Sequence, residues 1–236
     1  MNSLWITIFY QPIYNLLVFF VSIFPGNDIG LAVVAVTILI KIIIYPLTKR
    51  SIKSQILLKA FAPKLKEIQE QYKDNKKLQA EKTFALYKEH KINPFSGCLP
   101  ILLQLPIIIA VYRVFLDGIT KNEHLRYAFI EAPQMIGPHF LSLIDLSKPS
   151  IFLAILAGVT QYIQLRYSPT FQKADTTPTN SQEAFTQNFQ KQMVYMLPIL
   201  MLVIGISLPG AVALYLVISN IVTIVQEKMI QKSLAK

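Results

Sequence analysis

Five stretches of this chain are apolar enough to cross a lipid bilayer, and they constrain its fold more than any other feature. A spanning helix needs about 20 mainly apolar residues, and shorter stretches span where the bilayer thins. The five stretches are residues 29–47, 99–116, 150–167, 193–208 and 211–226. Pro209 and Gly210 allow only a tight turn between the last two, which predicts an antiparallel helical pair. We therefore expect an all-α integral membrane protein with a five-helix transmembrane core.

The composition agrees with this class. Hydrophobic residues make up 53% of the chain and charged residues only 15%, yet the formal net charge is +10. A basic excess on an apolar chain is typical of membrane proteins whose loops contact anionic lipid. Cys98 is the only cysteine, which excludes an intrachain disulfide and a cysteine-based metal cluster. No basic residue precedes Lys41, so we expect no cleavable signal peptide.

Charge asymmetry between the loops predicts the orientation. Residues 48–93 carry twelve basic and five acidic side chains, a net charge of +7, whereas residues 117–149 carry a net charge of −1. Because basic loops stay in the cytoplasm, residues 48–93, residues 168–192 and the C-terminus are predicted to be cytoplasmic. Residues 117–149 then form an extracytoplasmic loop. This predicts a multi-pass protein of the plasma or inner membrane.

The basic segment 48–93 has the pattern of two helices. Its apolar residues recur at helical spacing on both sides of a break at Asp74 and Asn75, which predicts a cytoplasmic αα-hairpin. Most of its lysines are expected to be simply solvated. Lys73, Lys76 and Lys77 lie at the tip, where they could dock on anionic headgroups or ribosomal RNA phosphates.

Residues 1–24 allow two interpretations. Residues 4–24 are long enough to span, and a sixth transmembrane helix would not violate the charge rule. Polar residues nevertheless recur at mostly three- and four-residue spacing, at Ser3, Thr7, Gln11, Tyr14, Asn15 and Ser22. This amphipathic pattern favours a helix lying in the outer interface.

Lys41 interrupts the apolar run of residues 31–44. An ionised side chain in hydrocarbon costs roughly 2.5–3.5 kcal/mol, so an intramembrane lysine indicates a functional site. Thr37, four residues earlier, lies on the same helical face. The alternative is that the long side chain extends towards the headgroups near the predicted cytoplasmic end at Leu47.

Three segments resemble the signature stretches of the YidC/Oxa/Albino membrane protein insertase family. They are residues 41–48 (KIIIYPLT), 63–69 (PKLKEIQ) and 93–106 (NPFSGCLPILLQLP), the last being the most specific. Tyr215, followed by Ser219, Asn220 and Gln226, is similar to the family's last helix. The likeness covers nearly the whole chain in the same order of segments. The large extracytoplasmic domain of some bacterial members has no counterpart in this likeness, so the resemblance is to a minimal form of the family.

The resemblance implies a hydrophilic groove, open to cytoplasm and lipid and sealed outside, that carries a positive charge. The family's charge is usually Arg, and Lys41 corresponds to it; an ammonium lacks the planar five-donor fork of a guanidinium. Leu216 replaces a second aromatic residue after Tyr215. The residues expected to line the groove or contact substrate are Lys41, Thr37, Gln104, Tyr215, Ser219 and Asn220, with Gln161 and Gln164 as weaker candidates.

Simpler roles compete with these assignments. An intramembrane Gln or Ser can serve only to link helices, at about 0.6 kcal/mol per hydrogen bond. Nucleophilic catalysis by Cys98 is not expected, because His90, His124 and His139 lie in scattered loops. The same scatter argues against a metal site, and no phosphate-binding loop or hydrolase motif is present in the sequence. We expect a protein that is not an enzyme and needs no cofactor.

The predicted function is insertion and folding of nascent membrane proteins. The expected partners are those proteins and membrane lipids, with the ribosome and the Sec translocon as further candidates and no DNA. Two alternatives stay open: a small anion or solute transporter using Lys41, and a ribosome-docking assembly scaffold. No internal repeat or Gly-interrupted helix pair favours a transporter.

Overall fold

The computed structural model describes residues 3–97, 99–118, 122–131, 133, 136–169, 171 and 181–234. Helical turns at Ser3–Trp5 and Ile6–Tyr10, the latter a π-helix, lead into the first long helix. The α-helices are α1 (Gln11–Ile23), α2 (Ile29–Ala60), α3 (Ala62–Gln71), α4 (Lys76–Glu89), α5 (Leu99–Asp117), α6 (Ile151–Tyr167), α7 (Ser181–Ser207) and α8 (Gly210–Leu234). Short 3₁₀ turns lie at Pro25–Asn27, Pro94–Gly97 and Glu123–Leu125. The all-α class is thus confirmed, apart from one small sheet.

Within the described residues, three helical segments are long and apolar enough to cross a membrane by length and composition. They are Ile6–Ile23, Ile29–Ala60 and Gly210–Leu234, and Lys191–Ser207 is a shorter apolar helix. Many large apolar side chains on the outside of the bundle are exposed, among them Ile42 (60%), Ile199 (64%) and Val225 (51%). Such a surface is unfavourable in water and suits contact with lipid.

Helix α2 is longer than the sequence predicted. It continues past residue 47 to Ala60, with Pro46 inside it, and α3 begins only after the break at Phe61, with Pro63 in its first turn. Its extension buries Ile52 together with Ser51 and Gln55. The Ser51 hydroxyl and the Gln55 amide both donate to the Ser96 carbonyl, at 2.5 and 3.3 Å. This packing against the turn before α5 stabilises the extra helical turns.

Helices α3 and α4 lie side by side at the end of α2. The Asn75 side chain caps α4 by accepting from the Leu78 amide, at 3.0 Å, and the Gln79 amide donates to the Gln69 carbonyl, at 2.8 Å. No residue of either helix is buried, and Phe84, one of the apolar residues of the helical pattern, is 66% exposed. The two helices are therefore held by few buried contacts.

Helix α7 begins earlier than predicted, at Ser181 and not at Met193. The connection predicted at residues 168–192 is correspondingly shorter, and residues 170 and 172–180 lie outside the described residues. Helix α6 packs closely against both α7 and α8, whereas α7 and α8, predicted to form an antiparallel pair, share few contacts with each other. Small residues allow α6 and α7 to approach. A Cβ added to Gly205 would lie 2.9 Å from the Ala154 Cβ, so only glycine fits there.

The segment between α5 and α6 covers the end of the bundle opposite the α3–α4 pair. Strands β1 (His139–Phe140) and β2 (Ile144–Asp145) form an antiparallel hairpin, which departs from the purely helical prediction. The Asp28 carboxylate caps α2 at the Leu31 amide, at 3.0 Å, and also accepts from the Leu141 amide, at 2.7 Å. The cap of α2 thus also anchors the hairpin.

The middle of the polar stripe of the N-terminal helix, at Tyr14 and Asn15, does not face solvent, whereas Thr7 and Ser22 are exposed. Tyr14 and Asn15 are each only 1% exposed. The Asn15 amide donates to the Leu125 carbonyl, at 2.9 Å, and its oxygen accepts from the Tyr127 amide, at 2.7 Å. Asn15 thus fixes the helix to the segment that follows α5. Whether the helix lies in the interface or spans the membrane stays a prediction.

Candidate functional site

A cavity of about 160 Å³ lies between α2, α5, α6, α7 and α8. Apolar residues such as Leu103, Ile108 and Met201 form part of its wall. Its polar lining comes mainly from α2, α6 and α8: Lys41, Thr48, Gln55, Gln104, Gln161, Gln164, Ser168, Ser219, Asn220, Thr223, Gln226 and Glu227. A polar cavity inside an otherwise apolar helical bundle is the strongest candidate site on the described residues.

Lys41 lies in this cavity and is 8% exposed. Its ammonium donates to the Thr223 hydroxyl, at 2.9 Å, and to the Gln104 side-chain oxygen, at 3.3 Å. An ammonium has three donors, and these two neutral acceptors replace part of the water that it loses on burial. The side chain therefore points into the bundle, which argues against the alternative that it extends to the headgroups.

Gln104 connects the charge to the last helix. Its amide nitrogen donates to the Tyr215 hydroxyl, at 2.6 Å, and to the Ser219 hydroxyl, at 3.3 Å. With its oxygen held by Lys41, the amide is fixed in one orientation by three partners. Tyr215 is 2% exposed and does not line the cavity, so it orients Gln104 and does not itself face the open space.

Thr37 and Asn220, also predicted to line the groove, differ in their position relative to the cavity. Thr37 is 1% exposed, does not line the cavity, and donates back to the Val33 carbonyl of its own helix, at 2.6 Å. Asn220 lines the cavity, and its amide donates to the Thr160 hydroxyl, at 3.1 Å. Asn220 thus links α8 to α6 as well as facing the open space. Gln161 and Gln164, the weaker candidates, both line the cavity.

Three residues of α8 were not predicted to belong to the site, although Gln226 was named as part of the family resemblance. Thr223 binds the Lys41 ammonium, and the Gln226 amide donates to the Lys41 backbone carbonyl, at 2.9 Å. Glu227 is 8% exposed; its carboxylate accepts from the Ser168 hydroxyl, at 3.1 Å, and the Gln164 amide, at 3.4 Å. The spacing from Ser219 to these three is four, seven and eight residues, which places them on one helical face. That periodicity could have identified them.

The lysines predicted to dock partners lie elsewhere. Lys73, Lys76 and Lys77 are exposed around the connection between α3 and α4, and none of them lines the cavity. The Lys76 ammonium is 3.4 Å from the Gln79 side-chain oxygen, a long and solvent-exposed contact. The candidate site and the candidate docking surface are therefore separate.

Comparison with known proteins shows the family of this chain. The chain matches the family described as 60Kd inner membrane protein over residues 19–236. It belongs to that family and is a membrane protein.

Its relatives are named as insertases. The chain is 34% identical over 234 residues to proteins called membrane protein insertase YidC from Haemophilus influenzae (strain PittEE) and Pasteurella multocida (strain Pm70). It is 30% identical over 232 residues to the protein of that name from Blochmanniella floridana. These alignments cover 98% of this chain but only 37–38% of each relative, so the chain spans less than two fifths of their length.

Proposed function

We propose that this protein is a membrane protein insertase, which moves a short polar segment of a nascent membrane protein into the polar cavity while its apolar segment passes into lipid. The observation that carries the proposal is the Lys41 ammonium, held in a polar cavity inside an apolar bundle by Thr223 and Gln104. Its relatives' name supports the same function.

The energetics are adequate for such a role. Opposite charges about 4 Å apart gain about 4 kcal/mol at an effective dielectric constant near 20, before desolvation is counted. Burying one Asp in a membrane helix costs about 2.5–3.5 kcal/mol. Lys41 could therefore offset the cost of one acidic residue in the crossing segment. The polar lining shortens the apolar path, which lowers the barrier further.

We also propose the finer topology. The transmembrane core consists of α2, α5, α6, α7 and α8, with the α3–α4 pair in the cytoplasm and the β1–β2 hairpin outside. The net charges of +7 on residues 48–93 and −1 on residues 117–149 support this orientation. The exposed basic α3–α4 pair would receive ribosomes, the Sec translocon or anionic lipid, with the C-terminus on the same side.

Reconstitution into liposomes tests the function. We expect purified protein to insert a single-span client with a short acidic tail, measured by protease protection, at a rate well above that of empty liposomes. Flux of a labelled small anion without insertion would instead favour the transporter, and ribosome binding without either activity would favour the scaffold.

Cysteine labelling tests the orientation. In a Cys98→Ser background, Leu143→Cys on the exposed outer loop should react with an impermeant reagent added to intact cells. Lys76→Cys should react only after permeabilisation. The reverse pattern would invert the proposed topology. Asn2→Cys distinguishes an interfacial N-terminal helix, labelled from outside, from a sixth span.

A further inference from the structure

The cavity contains a second buried ionisable group, the Glu227 carboxyl, whose charged form has the opposite sign to Lys41. Glu227 lies four residues after Thr223 on α8, and four residues of helix advance about 6 Å along its axis. Thr223 holds the Lys41 ammonium, and α8 ends on the same side of the bundle as the α3–α4 pair. The carboxylate therefore lies about one turn from the ammonium, towards that side.

Glu227 does not neutralise Lys41 by direct contact. Within the described residues, no basic group lies within 4 Å of the Glu227 carboxylate. Ser168 and Gln164 are its hydrogen-bond donors, and both are neutral. An ionised carboxylate has about four acceptor sites, so two neutral donors leave capacity for more. All three side chains line the cavity.

We propose that Glu227, Gln164 and Ser168 form a binding site for a basic side chain of the client, one helical turn from the Lys41 site for acidic groups. The inference rests on the proposed function, because the client must enter the cavity. A segment with an acidic residue on the outer side and a Lys or Arg on the side of the α3–α4 pair would match both charges. The reversed order would place like charges together, which is unfavourable.

This arrangement makes the cavity selective for charge order along the client. Lys41 attracts the residue that is to cross, whereas Glu227 retains the basic residue that is to stay. Both charges are less than one tenth exposed, so their effect is screened by salt less than that of surface charges. Glu227 would then act as a specificity-determining residue for clients whose basic residue follows the crossing segment.

Paired clients test the site. Both clients carry the same acidic residue. One client has Lys, and the other has Gln, one helical turn from that residue on the side of the segment that enters the cavity last. Glu227→Gln keeps the shape and a side-chain oxygen that can accept from Ser168 and Gln164. We expect this variant to insert the Lys client at least fivefold more slowly than wild type, and the Gln client within twofold of wild type. Glu227→Asp should restore part of the preference, and Glu81→Gln on the exposed face of α4 is the matched control.

Each other outcome has a defined meaning. An equal loss for both clients would make Glu227 a structural residue, and no loss for either would exclude a role in client binding; both results overturn the inference and leave the insertase function intact. If wild-type protein inserted neither client, the proposed function itself would fail, and this inference with it.

A second measurement needs no substitution in the cavity. A membrane-permeant carbodiimide condenses a carboxylate with a contacting lysine amine, forming an amide while the carbodiimide becomes a urea. With the Lys client stalled during insertion into wild-type protein, mass spectrometry should find the amide at Glu227. Cross-links confined to exposed carboxylates such as Glu81 would overturn the inference.

Discussion

Lysines in two regions of this molecule have the same chemistry and opposite surroundings. Lys41 is 8% exposed and is held by the side chains of two other helices. Lys73, Lys76 and Lys77 are exposed at the connection between α3 and α4. A buried charge acts at short range in a low dielectric, whereas exposed charges are screened by salt within about 8–10 Å. The difference supports the proposal that the cavity transfers clients and the α3–α4 pair docks partners.

Removing the buried charge should have the largest effect. We expect Lys41→Ala to lose most insertion of an acidic-tailed client, because it leaves Thr223 and Gln104 without the ammonium between them. Lys41→Arg should retain insertion, since it keeps the charge. Lys53→Ala, an exposed lysine on the same helix, is the control, and its insertion rate should equal wild type. Full activity of Lys41→Ala with several such clients would show that the buried charge is not needed for insertion. The contrast between Lys41 and the exposed lysines would then have no functional meaning.

Buried and exposed polar groups should also differ in their effect on stability. Asn15→Leu leaves the Tyr127 amide without its acceptor and should lower the free energy of unfolding by about 1–3 kcal/mol. Ser22→Ala, which removes an exposed hydroxyl bonded to the Phe19 carbonyl, should change it by less than about 0.5 kcal/mol. Denaturant unfolding in detergent micelles measures both. Equal effects would contradict the contacts described for the N-terminal helix.

A smaller effect is expected from one partner of the ammonium. Thr223→Val preserves the shape but removes a hydrogen-bond acceptor of Lys41, and insertion of the acidic-tailed client should fall a few-fold. Thr48→Val is a matched control, because Thr48 lines the same cavity but donates to the Ile44 carbonyl, at 3.2 Å. If both variants lost activity equally, the contact with Lys41 would not be the cause.

The smallest effect on insertion itself should come from the exposed lysines. Changing Lys73, Lys76 and Lys77 together to Gln should weaken binding to anionic vesicles or ribosomes, with a defect that shrinks as salt rises. A client already delivered to the membrane should insert within twofold of the wild-type rate. Changing the same three residues to Arg keeps the charge and should leave binding close to wild type. Loss of insertion at every salt concentration would show that docking and transfer are not separate.

Much of the helix pattern was predictable, because long apolar stretches leave the chain few other structures. Helices α5 and α6 begin and end within one residue of the stretches 99–116 and 150–167. The ends of α2 and α7 were not predictable from hydropathy. Both helices continue into polar sequence, and for α2 the buried contacts of Ser51 and Gln55 with the Ser96 carbonyl stabilise that extension.

The site was predictable only in part. Lys41, Gln104 and Ser219 stand out as polar residues in apolar sequence, and they meet in one network. Tyr215 and Thr37, expected in the groove, are buried beside it. Glu227 was missed because it follows the last predicted span, where a charged residue is ordinarily exposed to water.

The sequence by itself determined the class, the approximate positions of the helices and the presence of an unusual charge in an apolar stretch. These follow from local properties, hydropathy and periodicity, which each stretch carries alone. Only the tertiary structure decided which polar side chains meet, because that depends on how each helix is rotated towards its neighbours. Small residues such as Gly205 set how closely α6 and α7 approach, and interhelical contacts such as that of Gln226 with the Lys41 carbonyl relate α8 to α2. The two opposite charges of the cavity come from residues 186 positions apart, and packing alone brings them together.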